Sequence, residues 1–194
     1  CNLDLIHLGK EIEVKADIKF KNNTSYAIDT YIFSLNPGLE IQKVVCNGEN
    51  LSFNRDLHIL TVEPSAHLNS GDVDSLSIFY RGKINEEACY TDIGEDEREE
   101  NYRVFIYNID KRYGFITPEY VLLTHENLWY PVTGIPYGSA YPKIQSRDFI
   151  NFELTVTTDS ELTALSQGNL TQSDNGKYVF KPEVTLPQLS LTIG

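Results

Sequence analysis

From Glu11 to Lys21 the chain reads EIEVKADIKFK, an alternation without a slip: Ile12, Val14, Ala16, Ile18 and Phe20 fall on one side of an extended backbone, and Glu, Lys and Asp take the other. A period of two does not fit a helix. It marks a strand of an antiparallel sheet with one face on a core and the other in water. Because a slip of one residue would turn every apolar side chain into solvent, the stretch also fixes its own register.

Similar runs follow. Tyr31, Phe33 and Leu35 alternate, Leu39 to Val45 makes a short strand, and LHILTVE, Leu76 to Tyr80 and FINFELTVTT from Phe149 continue the pattern. Leu162 to Leu165, Lys177 to Phe180 and Leu189 to Ile193 complete it. Turn chemistry separates them: KNNTS, Asn36-Pro37-Gly38, Asn47-Gly48, Asn54-Arg55-Asp56, Ser70-Gly71 and Asp174-Asn175-Gly176. Turn signals every 8–12 residues or so, with no helical repeat, predict an all-β fold, either an antiparallel β-sandwich or curved, saddle-like sheets. The pattern lapses between about residues 85 and 148, where the acidic run Glu95 to Glu100 precedes aromatic-rich segments and a Pro, Gly and Tyr cluster. That tract reads as a long irregular insertion in a single domain spanning 1–194, and its charge run as a solvated loop or short exposed helix.

Charge narrows the function classes. Lys and Arg total 16 against 28 Asp and Glu, a net charge of -12, which repels a phosphate backbone and an anionic membrane surface alike. No run approaches the roughly eighteen apolar residues needed to cross a bilayer, so any membrane attachment is expected outside this sequence. Cys1, Cys46 and Cys89 are too few for a disulfide framework; a single Cys46–Cys89 bridge in an oxidising compartment and free thiols acting as small hydrophobes are both open. With no Met anywhere, the chain reads as a piece of something longer, and Cys1 as either the lipid-bearing residue of a processed bacterial lipoprotein or the start of a fragment.

The segment His125-Glu126-Asn127-Leu128-Trp129 comes within one residue of HExxH, the helix-borne zinc motif in which two histidines on one helical face bind the metal and the glutamate activates water. Here the fifth position is Trp129, whose indole is no zinc ligand, and Pro131 close behind argues for an extended segment. His7, His58 and His67 are distant in sequence. No catalytic residue and no metal ligand is assigned in this chain. A G-x-S-x-G elbow and Gly-rich phosphate loops are missing, and paired carboxylates for glycoside hydrolysis need only meet in space, so no pair is singled out. LWYP with Tyr137 and Tyr141 forms an aromatic group that either stacks on a sugar or peptide or packs in a core.

The order of segments carries a resemblance. Alternating strands, then FSLNPGLEI, then VVCNGENLSF, then SIFYRGKI, and later FELTVTTDSELTALSQGNLTQSDNGKYVFKPEVTLPQLSLTIG resemble the amino-terminal β domain of the gluzincin zinc aminopeptidases, the aminopeptidase N-like family. The resemblance covers most of the chain. It implies that zinc, the general base and a G-x-M-E-N segment belong to a following catalytic domain, so that no cofactor is expected in this chain.

HENLWYP falls where that family passes its substrate-contacting stretch, a Gln or Glu, then an Arg, then an aromatic-Pro pair. The match implies Glu126, Trp129 and Tyr130 as substrate-binding candidates; Tyr130-Pro131 is kept, but the spacing is shorter and no Arg lies between Tyr113 and Arg147. Relatives with a W-Y-P segment resemble bacterial aminopeptidase domains fused to membrane transporter subunits. The reading that follows is a non-catalytic domain of a larger, extracytoplasmic, membrane-associated zinc aminopeptidase-like protein. Its partners would be the intramolecular catalytic domain and a peptide substrate at the cleft edge, with no nucleic acid. The rival is a free-standing extracytoplasmic β-sandwich lipoprotein that binds a glycan or protein partner through Trp129.

Overall fold

The computed structural model describes residues 1–87, 113–134 and 148–194. In chain order its strands are β1 (Asn2–His7), β2 (Ile12–Lys21), β3 (Tyr31–Ser34), β4 (Leu39–Cys46), β5 (Glu49–Asn50), β6 (Phe53–Asp56), β7 (Ile59–Val62) and β8 (Val73–Gly82). They continue as β9 (Gly114–Ile116), β10 (Val121–Leu123), β11 (Val132–Thr133), β12 (Glu153–Thr157), β13 (Ala164–Ser166), β14 (Asn169–Asp174), β15 (Lys177–Lys181) and β16 (Leu191–Ile193). Three sheets result: an eight-stranded sheet in the order β14-β15-β12-β1-β2-β8-β4-β5, a second of order β13-β16-β10-β9, and a third of order β11-β3-β7-β6. The protein is all-β, as the alternation requires.

The alternating run becomes β2, inside the large sheet, paired with β8 over its full length from Ile12↔Gly82 to Lys21↔Val73. Its inward side chains Ile12, Val14, Ala16 and Ile18 are buried, as are Leu76, Ile78 and Tyr80 of β8. The Asn47-Gly48 turn joins β4 to β5 with φ of 50° and 86°, and Asn175-Gly176 joins β14 to β15 with 46° and 78°; both pairs hold the positive angles that make Asn-Gly the favoured hairpin turn.

One pairing departs from the antiparallel expectation: β1 and β12 run parallel, from Asn2↔Glu153 to Ile6↔Thr157. Parallel neighbours need a long crossover, and here the polypeptide between them supplies β2 to β11 before returning. Alternation within a strand is blind to this choice, because direction is set by the connection. Residues 113–134, within the irregular tract, supply β9 and β10 to the second sheet and β11 to the third.

Buried residues of all three sheets form one core cluster, which includes Val14 and Tyr80 from the large sheet, Val121 and Ile193 from the second, and Phe33 and Leu60 from the third. Polar ties cross between sheets. The Tyr31 hydroxyl on β3 donates to Asp74 on β8 at 2.7 Å. Burial first, then that carboxylate, push the Tyr31 phenol well above its ordinary range, so it stays a donor.

Candidate functional site

β10 runs through Thr124 into a single 3-10 turn, His125–Asn127, and the chain then reverses at Leu128, which has φ 51° and ψ 41°. A leucine in the left-handed region costs on the order of 1 kcal/mol and needs its surroundings to hold it there. Two backbone bonds do so: Leu128 N–H donates to His125 O at 3.1 Å, and Asn36 N–H donates to Leu128 O at 2.8 Å.

Asn36 is the organiser beneath the turn. Its amide donates to Asn127 O at 2.7 Å and to Asn85 O at 3.0 Å, and its Oδ1 accepts from Gly38 N at 2.9 Å and Asn85 N at 2.8 Å. Arg55 secures the same loop by donating through Nη2 to Leu35 O at 2.6 Å and Asn36 O at 2.8 Å; burial lowers its pKa to about 10. Asn127 is itself buried, and Gly114 leaves it room, since a Cβ there would stand 2.2 Å from Asn127 Oδ1.

Trp129 and Tyr130 point into the core and are 0% and 2% exposed. They hold the backbone of one residue through both of its polar groups: Trp129 Nε1 donates to Leu189 O at 3.2 Å, and Leu189 N–H donates to the Tyr130 hydroxyl at 3.2 Å. The Tyr130 oxygen also lies 3.3 Å from His125 Nδ1. Tyr80 of β8 donates to Trp129 O at 3.1 Å, and burial raises its phenol pKa well above the ordinary value. The two aromatic rings meet edge to face at 5.0 Å, and Tyr130 meets Phe152 likewise at 5.5 Å, a geometry that adds attraction beyond buried area.

Of the three candidates drawn from the sequence, only Glu126 reaches solvent; it is half-buried and forms no hydrogen bond or ion pair among the described residues. Trp129 and Tyr130 instead fasten the turn that carries it to the segment entering β16. Asn36, Tyr80 and Leu189 join the site from distant sequence; Asn36 is legible only as a turn residue, and the other two only as strand residues. Tyr137, Tyr141, Cys89 and the acidic run lie outside the described residues.

The residues do not fit zinc. His125 is buried against Tyr130, and no three His, Cys, Asp or Glu side chains converge to hold a metal among the described residues. The HENLW turn is too short to place two ligands on one helical face, and its fifth position is sealed in the core.

Comparison with known proteins supplies the context. Neither a family model nor a curated protein matches the sequence. Among solved structures, the M1 zinc metallopeptidase from Deinococcus radiodurans is similar over 100% of this chain at 15% identity and a TM-score of 0.68. The fold is that of the amino-terminal β domain of M1 zinc metallopeptidases. A mutant of the same Deinococcus radiodurans enzyme bound to a Tyr-Ser-Ala substrate matches at 16% identity and 0.68. Yeast LTA4 hydrolase in complex with bestatin is similar over 100% of this chain at 15% identity and a TM-score of 0.55. The chain spans 41% of the length of the first and 28% of the last.

Proposed function

We propose that this chain is a non-catalytic β domain of a larger zinc aminopeptidase-like protein of the bacterial cell envelope, packed on the catalytic domain and bordering its substrate cleft. The observation that carries the reading is the full-length fold match to zinc metallopeptidases of which the chain spans only 41%, one of them bound to a tripeptide. In this role the zinc and its water-activating base belong to the other domain. Glu126, half-exposed on a turn fixed from beneath by Asn36 and Tyr130, offers its carboxylate to the free amine of a peptide. Trp129 and Tyr130 act through packing, holding that turn against Leu189.

The gene and an assay test this together. The reading frame past Gly194 should encode HExxH with a second glutamate roughly eighteen or more residues on. The parent polypeptide should hydrolyse aminoacyl anilides, and the 194-residue chain with added zinc should not; chelator-sensitive hydrolysis by the short chain would overturn the reading. In the parent, Glu126→Gln should raise KM about tenfold, as loss of a charge-assisted bond to the substrate amine does, with kcat little changed.

A further inference from the structure

The sequence holds two Asn-Gly dipeptides, Asn47-Gly48 and Asn175-Gly176. Glycine has no side chain to shield its backbone nitrogen, so in both that nitrogen is open to attack the asparagine amide before it. Both dipeptides also form two-residue hairpin loops, between Cys46↔Glu49 and between Asp174↔Lys177, with φ of 50° and 86° at the first and 46° and 78° at the second. Dipeptide and turn are matched; the surroundings are not. Gly176 is buried against the segment 158–160: a Cβ there would stand 2.3 Å from Thr158 O, and its carbonyl accepts from Thr158 N–H at 2.8 Å. Its flanking strands pair from Asn169↔Lys181 to Asp174↔Lys177. Gly48 is exposed, and apart from its chain neighbours nothing lies within 4 Å of where a Cβ would stand. Behind it β5 is exposed at the edge of the large sheet and pairs with β4 only at Val45↔Asn50 and Cys46↔Glu49, with a further bond from Leu51 N–H to Val44 O at 2.9 Å.

We propose that Asn47 is a site of spontaneous deamidation and that the fold protects Asn175. The Gly48 nitrogen, its proton taken by a base from solvent, bonds to Cγ of Asn47 as the side-chain nitrogen leaves as ammonia, which closes a cyclic imide. Water then opens the imide. Attack at the side-chain carbonyl leaves aspartate, and attack at the main-chain carbonyl leaves isoaspartate, whose backbone runs through the side-chain carbons. Water is consumed and ammonia released, with no oxidant or reductant. Ring closure brings Cγ onto the following nitrogen, which a dipeptide in a tight turn reaches by opening that turn. At Asn175 opening strands the Thr158 N–H and unpacks a buried glycine; at Asn47 it frays only a short edge. The product alters that edge. Asn47 Nδ2 donates to Cys46 Sγ at 3.5 Å, and the thiol donates to Asp74 Oδ1 at 3.5 Å. Deamidation puts a carboxylate where that donor stood, and the added backbone carbon of isoaspartate breaks the Cys46↔Glu49 register.

The test holds the 194-residue chain in mildly alkaline buffer, with a parallel sample unfolded in urea, and follows each asparagine over time by peptide mapping, which reads the mass gained when an amide becomes an acid. In the folded chain Asn47 should react about fivefold or more faster than Asn175, the factor that one net hydrogen bond imposes. In urea the two rates should converge. Equal rates in the folded chain, a faster Asn175, or a folded chain in which neither residue reacts would each overturn the proposal. So would a preference for Asn47 that persists undiminished in urea, because the flanking sequence rather than the fold would then choose the site.

Discussion

The outer faces of the large and second sheets are built of the same pleated backbone and could hardly differ more in chemistry. On the large sheet one row across the strands reads Thr155, Asp4, Lys15, Phe79 and Lys43, with the Lys43 ammonium 4.3 Å above the Phe79 ring. Ion pairs pave the rest: Lys15 with Asp17 at 2.7 Å, Arg81 with Glu11 at 3.1 Å, and Lys181 with Glu153 at 3.1 Å. The second sheet has no charge in any of its strands. Charge on an exposed sheet keeps it single and in water. Its absence from the strands of one sheet and density on the other divide the molecule into an uncharged sheet and a charged one.

That division predicts that changes beneath the second sheet cost stability, whereas changes in the charge of the large sheet do not. Trp129→Ala should have the largest effect, about 3–5 kcal/mol, because the indole is wholly buried and donates to Leu189 O in the segment entering β16. Chemical denaturation of the 194-residue chain measures it; a loss near zero would mean that the second sheet is not anchored through this side chain. Tyr130→Phe keeps the ring and removes the oxygen that accepts from the buried Leu189 N–H. It should cost about 1–3 kcal/mol, the range for stranding a buried donor. If it costs as much as Trp129→Ala, the hydroxyl rather than the packing holds the turn.

The strands with a clean period of two were readable because burial on one face imposes that period, and β2 is the extreme case, with Ile12, Val14, Ala16 and Ile18 all buried. β1 carries a weaker signal. Its alternation NLDLIH ends on His7, a buried imidazole bonded to Thr158 Oγ1 at 2.9 Å and facing Thr117 O at 3.0 Å, so a polar residue stands where the pattern asks for an apolar one. β9 and β10 are three residues each, too short for any period, and become strands only by pairing into the second sheet with β16 from the far end of the chain. At the candidate site the sequence marks the HENLWYP segment. An unbroken apolar run such as LWYP has no period to tell core from surface, and only the burial of both rings and their bonds to Leu189 show that they point inward. The uncharged outer face was invisible for a related reason: Leu122, Leu165 and Thr192 are scattered along the chain, and the register alone aligns them.

The smallest predicted effect bears on the charged side of the comparison. Lys15 and Asp17 lie on the same face of β2 with side chains 39% and 37% exposed, so their attraction acts largely through water. Exposed pairs of this kind contribute about 0–1 kcal/mol, the Coulomb gain being offset by the entropy of ordering two side chains. Lys15→Ala should therefore lower stability by less than about 1 kcal/mol, and the loss should shrink in ~1 M salt, because a partly exposed pair is weakened by the ions around it. Denaturation curves at low and high salt measure both quantities. A salt-independent loss of ~2 kcal/mol or more would show that the paving of the large sheet holds the fold together; the predicted small, screened loss leaves it the task of keeping that face in solvent.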